Sequence, residues 1–219
     1  MKFLVKIILL TLFTSIDCFS QEETGWALSR KSNGVNIYMR RNSNSPVKEV
    51  MGKMTVKSSL AALVYIVKDS ENHYQWIYAN KQARMLKTIN NFEWIYYNES
   101  QAPWPVSNRD IITHAKMRQD SSSLKIVIDS KGIPKYMPEK EGLVRIPRLN
   151  TSWEFTPKKN GMVDVRFELE IDLGGNIPPW LVNVSIDKGP MNTLQNMSKL
   201  IAQDKYRKIN LPYIKEHKK

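Results

Sequence analysis

Apolar and polar residues alternate without a break from Met162 to Leu173. Val163, Val165, Phe167, Leu169, Ile171 and Leu173 fall on one face, and Asp164, Arg166, Glu168, Glu170 and Asp172 on the other. A period of two held over that length predicts a half-buried antiparallel strand. The period then changes. Trp180, Val184, Met191, Leu194, Met197 and Ile201 recur at helical steps, which predicts one long amphipathic helix running to about Arg207. Between the two patterns, Gly174 and Gly175 allow a tight turn. Pro178 or Pro179 suits a first helical turn, where a missing N–H costs nothing. Pro190 falls inside the helical pattern, after Gly189. It removes a backbone hydrogen bond there, so a kink or hinge is expected at that point.

The same reading covers the rest of the chain. Strands are expected over residues 35–41 and 47–57, joined by the turn cluster at 42–46, with Val50, Gly52, Met54 and Val56 facing one way. Ser58 is a candidate N-cap for a helix carrying Leu60, Leu63, Val64 and Val67, and a second short helix follows over 70–76. Residues 83–89 and 92–101 form a hairpin about Asn90-Asn91, with Phe92, Trp94 and Tyr96 sharing a face. In the strand over 109–118, parity separates Arg109, Ile111, Thr113, Ala115 and Met117 from Asp110, Ile112, His114, Lys116 and Arg118. The first set is apolar apart from Arg109 and Thr113, so it faces inward. Further strands fall at 124–129 and 145–155, around an aperiodic loop at 131–141. The predicted class is α+β, a long curved antiparallel sheet gripping one C-terminal helix. Gly52, Thr113 and Ala115 are small, which is compatible with a hollow centre.

Three segments, in order, resemble the START (steroidogenic acute regulatory protein-related lipid transfer) domain family. They are Pro103-Trp104-Pro105-Val106-Ser107-Asn108-Arg109-Asp110, then Gly142-Leu143-Val144-Arg145, and finally Asp172-Leu173-Gly174-Gly175-Asn176-Ile177-Pro178-Pro179-Trp180-Leu181-Val182-Asn183. Leu143 stands where the family usually has an aromatic residue. The resemblance spans roughly residues 24–208. It implies a helix-grip fold with an internal cavity that binds a lipid or other hydrophobic small molecule without catalysis. The loop 131–141 and the C-terminal helix would form the gate. The implied lining comprises Met54; Trp94 and Tyr96; Arg109, Ile111, Thr113, Ala115 and Met117; and Trp180, Val184, Met191 and Leu194 of the helix. The aromatic row is either a ligand wall or core packing. Arg109 and Asp110 match the family's Arg-Asp pair, whose structural role would be a salt bridge or hydrogen bond at the strand start. Several sterol-binding members carry an internal arginine where this chain has Ala115, and an acidic partner near the position of Tyr96. Both charges are absent here, which implies a more apolar pocket.

Composition refines this picture. The 219 residues are 42% hydrophobic and 25% charged, as expected for one soluble domain. Lys2 and Lys6, the apolar run at 7–13 and Ser20 read as a secretory signal over residues 1–20, with cleavage between Ser20 and Gln21. The expected organisation is then a leader at 1–20, a lipid-binding domain at 21–210 and a basic tail at 211–219, exported to the periplasm or beyond. An uncleaved anchor and a lipid on Cys18 are the alternatives. Cys18 is the sole cysteine, so the mature chain is expected to have no disulfide or thiol chemistry. No Gly-x-Ser-x-Gly, Walker loop or His-Glu-x-x-His is present, and neither cofactor nor metal is expected. His73, near Glu71, is expected in a surface pair; His114 points outward; His217 lies in the tail. An enzyme on the same scaffold, cyclase-like or hydrolase-like, is the alternative. It would need a titratable group inside, and only Arg109 and Tyr96 qualify. The formal charge of +12 lacks the basic and aromatic interleaving of a nucleic-acid reader. It points either to transient contact of a monomer with an anionic membrane surface or to a generally solvated basic surface.

Overall fold

The computed structural model describes residues 25–216. Ten strands form one antiparallel sheet, with a single parallel pairing. They are β1 (Ala27–Ser32), β2 (Val35–Asn42), β3 (Ser45–Lys57), β4 (Asn80–Asn90), β5 (Glu93–Ser100), β6 (Arg109–Gln119), β7 (Ile126–Gly132), β8 (Val144–Arg145), β9 (Arg148–Pro157) and β10 (Met162–Asp172). Their spatial order is β1-β2-β3-β10-β9-β7-β6-β5-β4. Helix α1 (Leu60–Lys68) and a 3-10 turn (Ser70–Gln75) enter after β3, and α2 (Pro179–Ser185), α3 (Lys188–Ile201) and α4 (Asp204–Arg207) follow β10. The expected α+β helix-grip architecture is the one observed.

The alternation of β10 works as predicted. Val163, Val165 and Phe167 join the core, while Asp164 accepts from Thr55 and pairs with Lys158 on the outer face. At the C-terminal end of β10 the side chain of Asp172 accepts from the N–H of Gly174 at 3.0 Å, and Gly174 and Gly175 both take positive φ, +65° and +67°. That conformation strains any residue with a Cβ, so the turn needs these glycines. Pro178 and Pro179 then occupy the N-cap and first position of α2.

Three expectations about helices change. The N-cap of α1 is Ser59, not Ser58: its hydroxyl accepts from Ala62 N at 3.1 Å. Second, the long C-terminal helix is three. The break falls at Ile186 and Asp187, and Pro190 sits in the first turn of α3. The first backbone bond of α3 runs from Met191 N to Asp187 O, so Pro190 removes no helical bond and does not kink the helix. The junction is instead held from outside, because Ser29 and Arg30 of β1 donate to the buried Asp187 carboxylate at 2.8 and 3.2 Å.

Third, residues 209–216 are built into the body. Ile214 is buried and Tyr213 packs edge-on against Phe92, ring centroids 5.6 Å apart. The Glu216 carboxylate accepts from Leu60 N and Ala61 N at 3.1 and 2.7 Å, a negative charge on the positive end of α1. This cover explains why α1 is buried on nearly every side, with Leu60, Ala61, Ala62, Leu63, Val64, Ile66 and Val67 all inside. The expected leader and His217 lie outside the described residues.

Candidate functional site

The inner face of the sheet is where the sequence placed it. Trp94, Thr113 and Ala115 are fully buried, Met117 and Met54 nearly so, and all but Thr113 belong to one apolar core with Met191 and Leu194 of α3. Arg109 and Ile111, at the same parity at the start of β6, are buried too. Two helical elements cover this face. Helix α3 packs over β2 and β3, and the 3-10 turn after α1 brings Trp76 against Trp153 of β9, with ring centroids 5.8 Å apart. Trp153 in turn packs on Phe167 at 4.3 Å. The two covers are tied together: Asn196 of α3 donates to Trp76 O, and Tyr78 N donates to Thr193 of α3.

Gly52 does not mark an open centre. A Cβ there would collide with Cδ1 of Leu194, so the glycine exists to let α3 sit directly on β3. The small residues that do cluster are on β6 and β7. Register sets Ala115 opposite Ser130 and Thr113 opposite Gly132, with Trp94 and Tyr96 opposite the same two β6 positions from the other side. Small side chains therefore form a floor between the β5 aromatics and Trp153.

That floor carries polar atoms without well-formed hydrogen bonds among the described residues. Trp94 Nε1, Thr113 Oγ1 and Arg109 Nε are buried and unbonded. The Tyr96 hydroxyl lies among Ser130 and Thr113, and burial pushes its pKa up. Arg109 donates one guanidinium hydrogen to Ser107 O and faces no carboxylate among the described residues; burial lowers its pKa. Buried polar groups are normally satisfied. A row of unsatisfied ones on an apolar face is what a ligand-orienting wall looks like.

Arg109 and Asp110 do not bridge each other. They point to opposite faces, as neighbours in a strand must. Asp110 pairs instead with Arg145, at 2.7 and 3.0 Å. Arg145 also donates to the carbonyls of Pro134, Met137 and Pro138 at 2.5, 3.1 and 3.1 Å. One buried guanidinium thus straps the 133–138 loop to the outer face of β6, over a second small core of Ile95, Tyr97 and Ile112. Burial, with the Asp110 carboxylate nearby, pushes the Tyr97 phenol up.

Two expected lining residues are elsewhere. Trp180 and Val184 are 67% and 68% exposed, on the solvent side of α2. The buried residue of α2 is Val182, and Asn183 holds the helix down by donating to Pro46 O and accepting from Lys48 N. Phe92 is also not part of the wall; it is exposed in the β4–β5 turn. An open groove on the outer face of the sheet, lined by Trp26, Arg40, Glu49, His114, Lys116 and Glu168, carries charges of both signs and is no apolar site.

His73 is not in a surface pair. It is 2% exposed, edge-on to Trp76 and Tyr96 at 5.5 Å each. Its Nε2 lies 3.0 Å from Val67 O and its Nδ1 3.3 Å from the Asn98 side-chain amide. A neutral ring donates from Nε2 to the Val67 carbonyl, and its Nδ1 faces Asn98 Oδ1, which itself accepts from Asn80 Nδ2, so the ring is held by one strong bond and enclosed by aromatic rings. Burial lowers its pKa. With the folded value below the unfolded one near 6.5, the contribution is intact above about pH 6.5 and is lost as pH falls toward the folded value. Denaturant midpoints should therefore drop between pH 7 and pH 5.5, and His73→Gln should flatten that slope. An equal slope in both proteins would show that His73 is not held neutral.

Sequence reading missed Ser130, Trp76 and Trp153. Trp153 shares parity with Phe155 and could have been found. Ser130 faces Ala115 only through strand register, and Trp76 reaches Trp153 only through tertiary packing.

A sheet wrapped around a covered apolar inner face, with polar atoms set into it, defines a helix-grip binding domain. The START domain family profile matches residues 15–205, and the chain belongs to that family. An uncharacterized protein of Pseudomonas aeruginosa is 30% identical over 172 residues, covering 78% of this chain and 84% of that one. The phosphatidylcholine transfer protein of Homo sapiens is 27% identical over 184 residues, covering 80% and 82%. A crystal structure of a STAR-related lipid transfer protein fragment from Xanthomonas axonopodis superposes with a TM-score of 0.77 at 31% identity, covering 82% of this chain and 99% of the fragment.

Proposed function

We propose that this START domain holds a lipid, or another elongated apolar molecule with a polar head, between the sheet and its two helical covers. The observation that carries the reading is the row of unpartnered buried polar atoms on β5 and β6: Trp94 Nε1, Thr113 Oγ1 and Arg109 Nε. Apolar chain would lie on Met54, Ile111, Ala115, Met117, Met191 and Leu194. The ligand's polar group would meet Arg109 and the Tyr96 hydroxyl. The phosphatidylcholine transfer protein and the STAR-related lipid transfer protein among its relatives support a lipid as the cargo and transfer as the use. The binding is non-catalytic in this reading: His73 is enclosed by Trp76 and Tyr96 with its Nε2 committed to the Val67 carbonyl, and the other inward ionisable groups are Arg109 and Tyr96. Residues 1–20 support export of the chain, and we propose that it acts as a monomer that meets membrane surfaces transiently.

Native mass spectrometry of the chain purified without detergent tests this. One lipid-sized mass increment per protein, lost on extraction with organic solvent, is expected. A bare chain that also fails to take up lipid from vesicles would overturn the reading.

A further inference from the structure

The loop expected as a gate is held on the outer face of the sheet, its 133–138 part strapped there by Arg145. A different segment, residues 209–216, covers one end of the inner face. It lies past residue 205, where the family match ends. It is neither helix nor strand, yet Ile214 belongs to the main core and Ile209, Leu211 and Tyr213 pack against that core.

Strand β6 fixes where this end is. Its first residue, Arg109, marks the end proposed for the ligand's polar group. Its last residue, Gln119, is roughly 33 Å away along an extended strand of that length. Near Gln119 lie Met117 and, on β5, Phe92 and Trp94; Met117 N donates to Phe92 O at 2.7 Å. The segment crosses here. The Gln119 side-chain amide meets Lys215 twice, donating to its O at 2.7 Å and accepting from its N at 2.9 Å. The Glu216 carboxylate holds the first N–H groups of α1, and Tyr213 packs on Phe92. Lys68, the last residue of α1, joins the segment to the proposed site. Its ammonium lies 5.5 Å from the ring centroid of Trp94 and 5.5 Å from that of Tyr213, and donates to Asn91 O at 3.2 Å. One cation therefore stands between the wall of the site and the cover over it.

The cover is fastened at few points. Among the described residues its backbone-to-backbone bonds are local, from Ile209 N to Tyr206 O and from Ile214 N to Leu211 O, and Pro212 offers no N–H. It joins no ladder. The side chains of Gln119 and Glu216 fasten its far end, and apolar burial holds the rest. A segment attached in this way opens at a smaller free energy than the sheet beneath it. Opening lifts Tyr213 from Lys68 and bares the contact between α1 and β5, with Trp94 and Met117 behind it.

We propose that residues 209–216 are a latch on the interior, and that its release opens a second mouth at the Trp94 end, opposite Arg109. Gln119 and Glu216 are the fastening groups, and Lys68 with Tyr213 is the seal. The proposal rests on the lipid-binding reading. With the polar group at Arg109, the apolar end of the ligand points toward this mouth. The latch then sets how fast a ligand exchanges, and affects little how tightly it is held, because the closed state stays the dominant one.

The test follows lipid exchange by the full chain, loaded from vesicles that contain pyrene-labelled phosphatidylcholine and phosphatidylglycerol and then mixed with unlabelled vesicles. In the variant Gln119→Ala with Glu216→Ala, release should quicken about tenfold, since bonds made only in the closed state are gone. The amount bound at equilibrium should stay within about twofold of wild type. Hydrogen exchange should quicken at the amides of Leu60, Ala61 and Lys215. The opposite change uses benzoylphenylalanine in place of Tyr213. Crosslinking it to the body with light should slow release relative to the same protein kept dark, a result that general destabilisation does not produce. Unchanged release in the double variant, or in the crosslinked chain, would overturn the latch and leave lipid binding standing. Wild-type hydrogen exchange in the double variant would overturn it too, by showing that these two side chains do not fasten the segment. A wild-type chain that takes up neither lipid fails at the loading step, and sinks the lipid-binding reading together with the latch.

Discussion

Arg145→Ala should cost about 3–5 kcal/mol of stability, because it leaves the Asp110 carboxylate buried without its counterion. Asp110 is 1% exposed and Arg145 7%. The substitution also removes the donor to three carbonyls of the 133–138 loop, and each loses a bond with little water near to replace it. For a domain of this size, each kcal/mol moves the melting point by about 2–4 °C, so a drop on the order of 10 °C is expected by circular dichroism. Replacing both partners, Asp110→Leu with Arg145→Met, should recover part of that loss by removing the unpaired charge altogether. A single variant that melts within about 2 °C of wild type, about 1 kcal/mol or less, would mean that the pair does not hold the loop.

That pair also shows where sequence reading stopped. The two residues lie in separate segments, Arg-Asp and Gly-Leu-Val-Arg, that order alone could mark as important. Parity correctly put Asp110 on the face opposite Arg109, which already made a bridge between the two unsuitable. Naming Arg145 as the partner needs the pairing of β6 with β8, set by tertiary geometry. Strands with one wet face were read well, since burial on one side writes a period of two into β6 and β10. Strand β1 was invisible for the same reason. Its residues Ala27–Ser32 are nearly all exposed, so no alternation is imposed, and it is held by its backbone ladder and by Ser29 and Arg30 on Asp187.

The helical errors have one cause. Trp180, Val184, Met191 and Leu194 fit one face only if the period runs unbroken, and two exposed residues at 180 and 184 match that period by chance. The break at Ile186 and Asp187 involves neither glycine nor proline, so no local signal competes with Pro190. Asp187 at that junction is bonded by Ser29 and Arg30, more than 150 residues away in sequence. His73 was misplaced because a histidine beside a glutamate is ordinarily a surface pair. Here the ring is carried inside by Trp76 and Tyr96 and satisfied by the Val67 carbonyl.

Ala115→Trp tests the floor of the proposed site directly. Ala115 is fully buried, flanked across the sheet by Trp94 and Ser130 and along β6 by Thr113 and Met117. An indole there must project from the small-residue floor toward Trp153, over the unpartnered Thr113 hydroxyl. Two outcomes are separable by magnitude. If a ligand occupies this space, the indole takes its place, and lipid uptake should fall about tenfold or more, since excluding even a few methylenes costs about 0.8 kcal/mol each. The melting point of ligand-free protein should then stay within a few degrees of wild type. If the interior is filled by the protein alone, the same substitution overpacks it at about 1–3 kcal/mol, and the melting point falls by roughly 3–10 °C with no ligand to lose. Thr113→Val is the companion measurement. It keeps the volume and removes the hydroxyl, so in the binding reading it weakens or reorders the ligand at little cost in stability, because among the described residues Thr113 Oγ1 makes no well-formed hydrogen bond and only approaches the Tyr96 hydroxyl. Unaltered uptake in Ala115→Trp, in a protein that melts like wild type, would move the site away from β6.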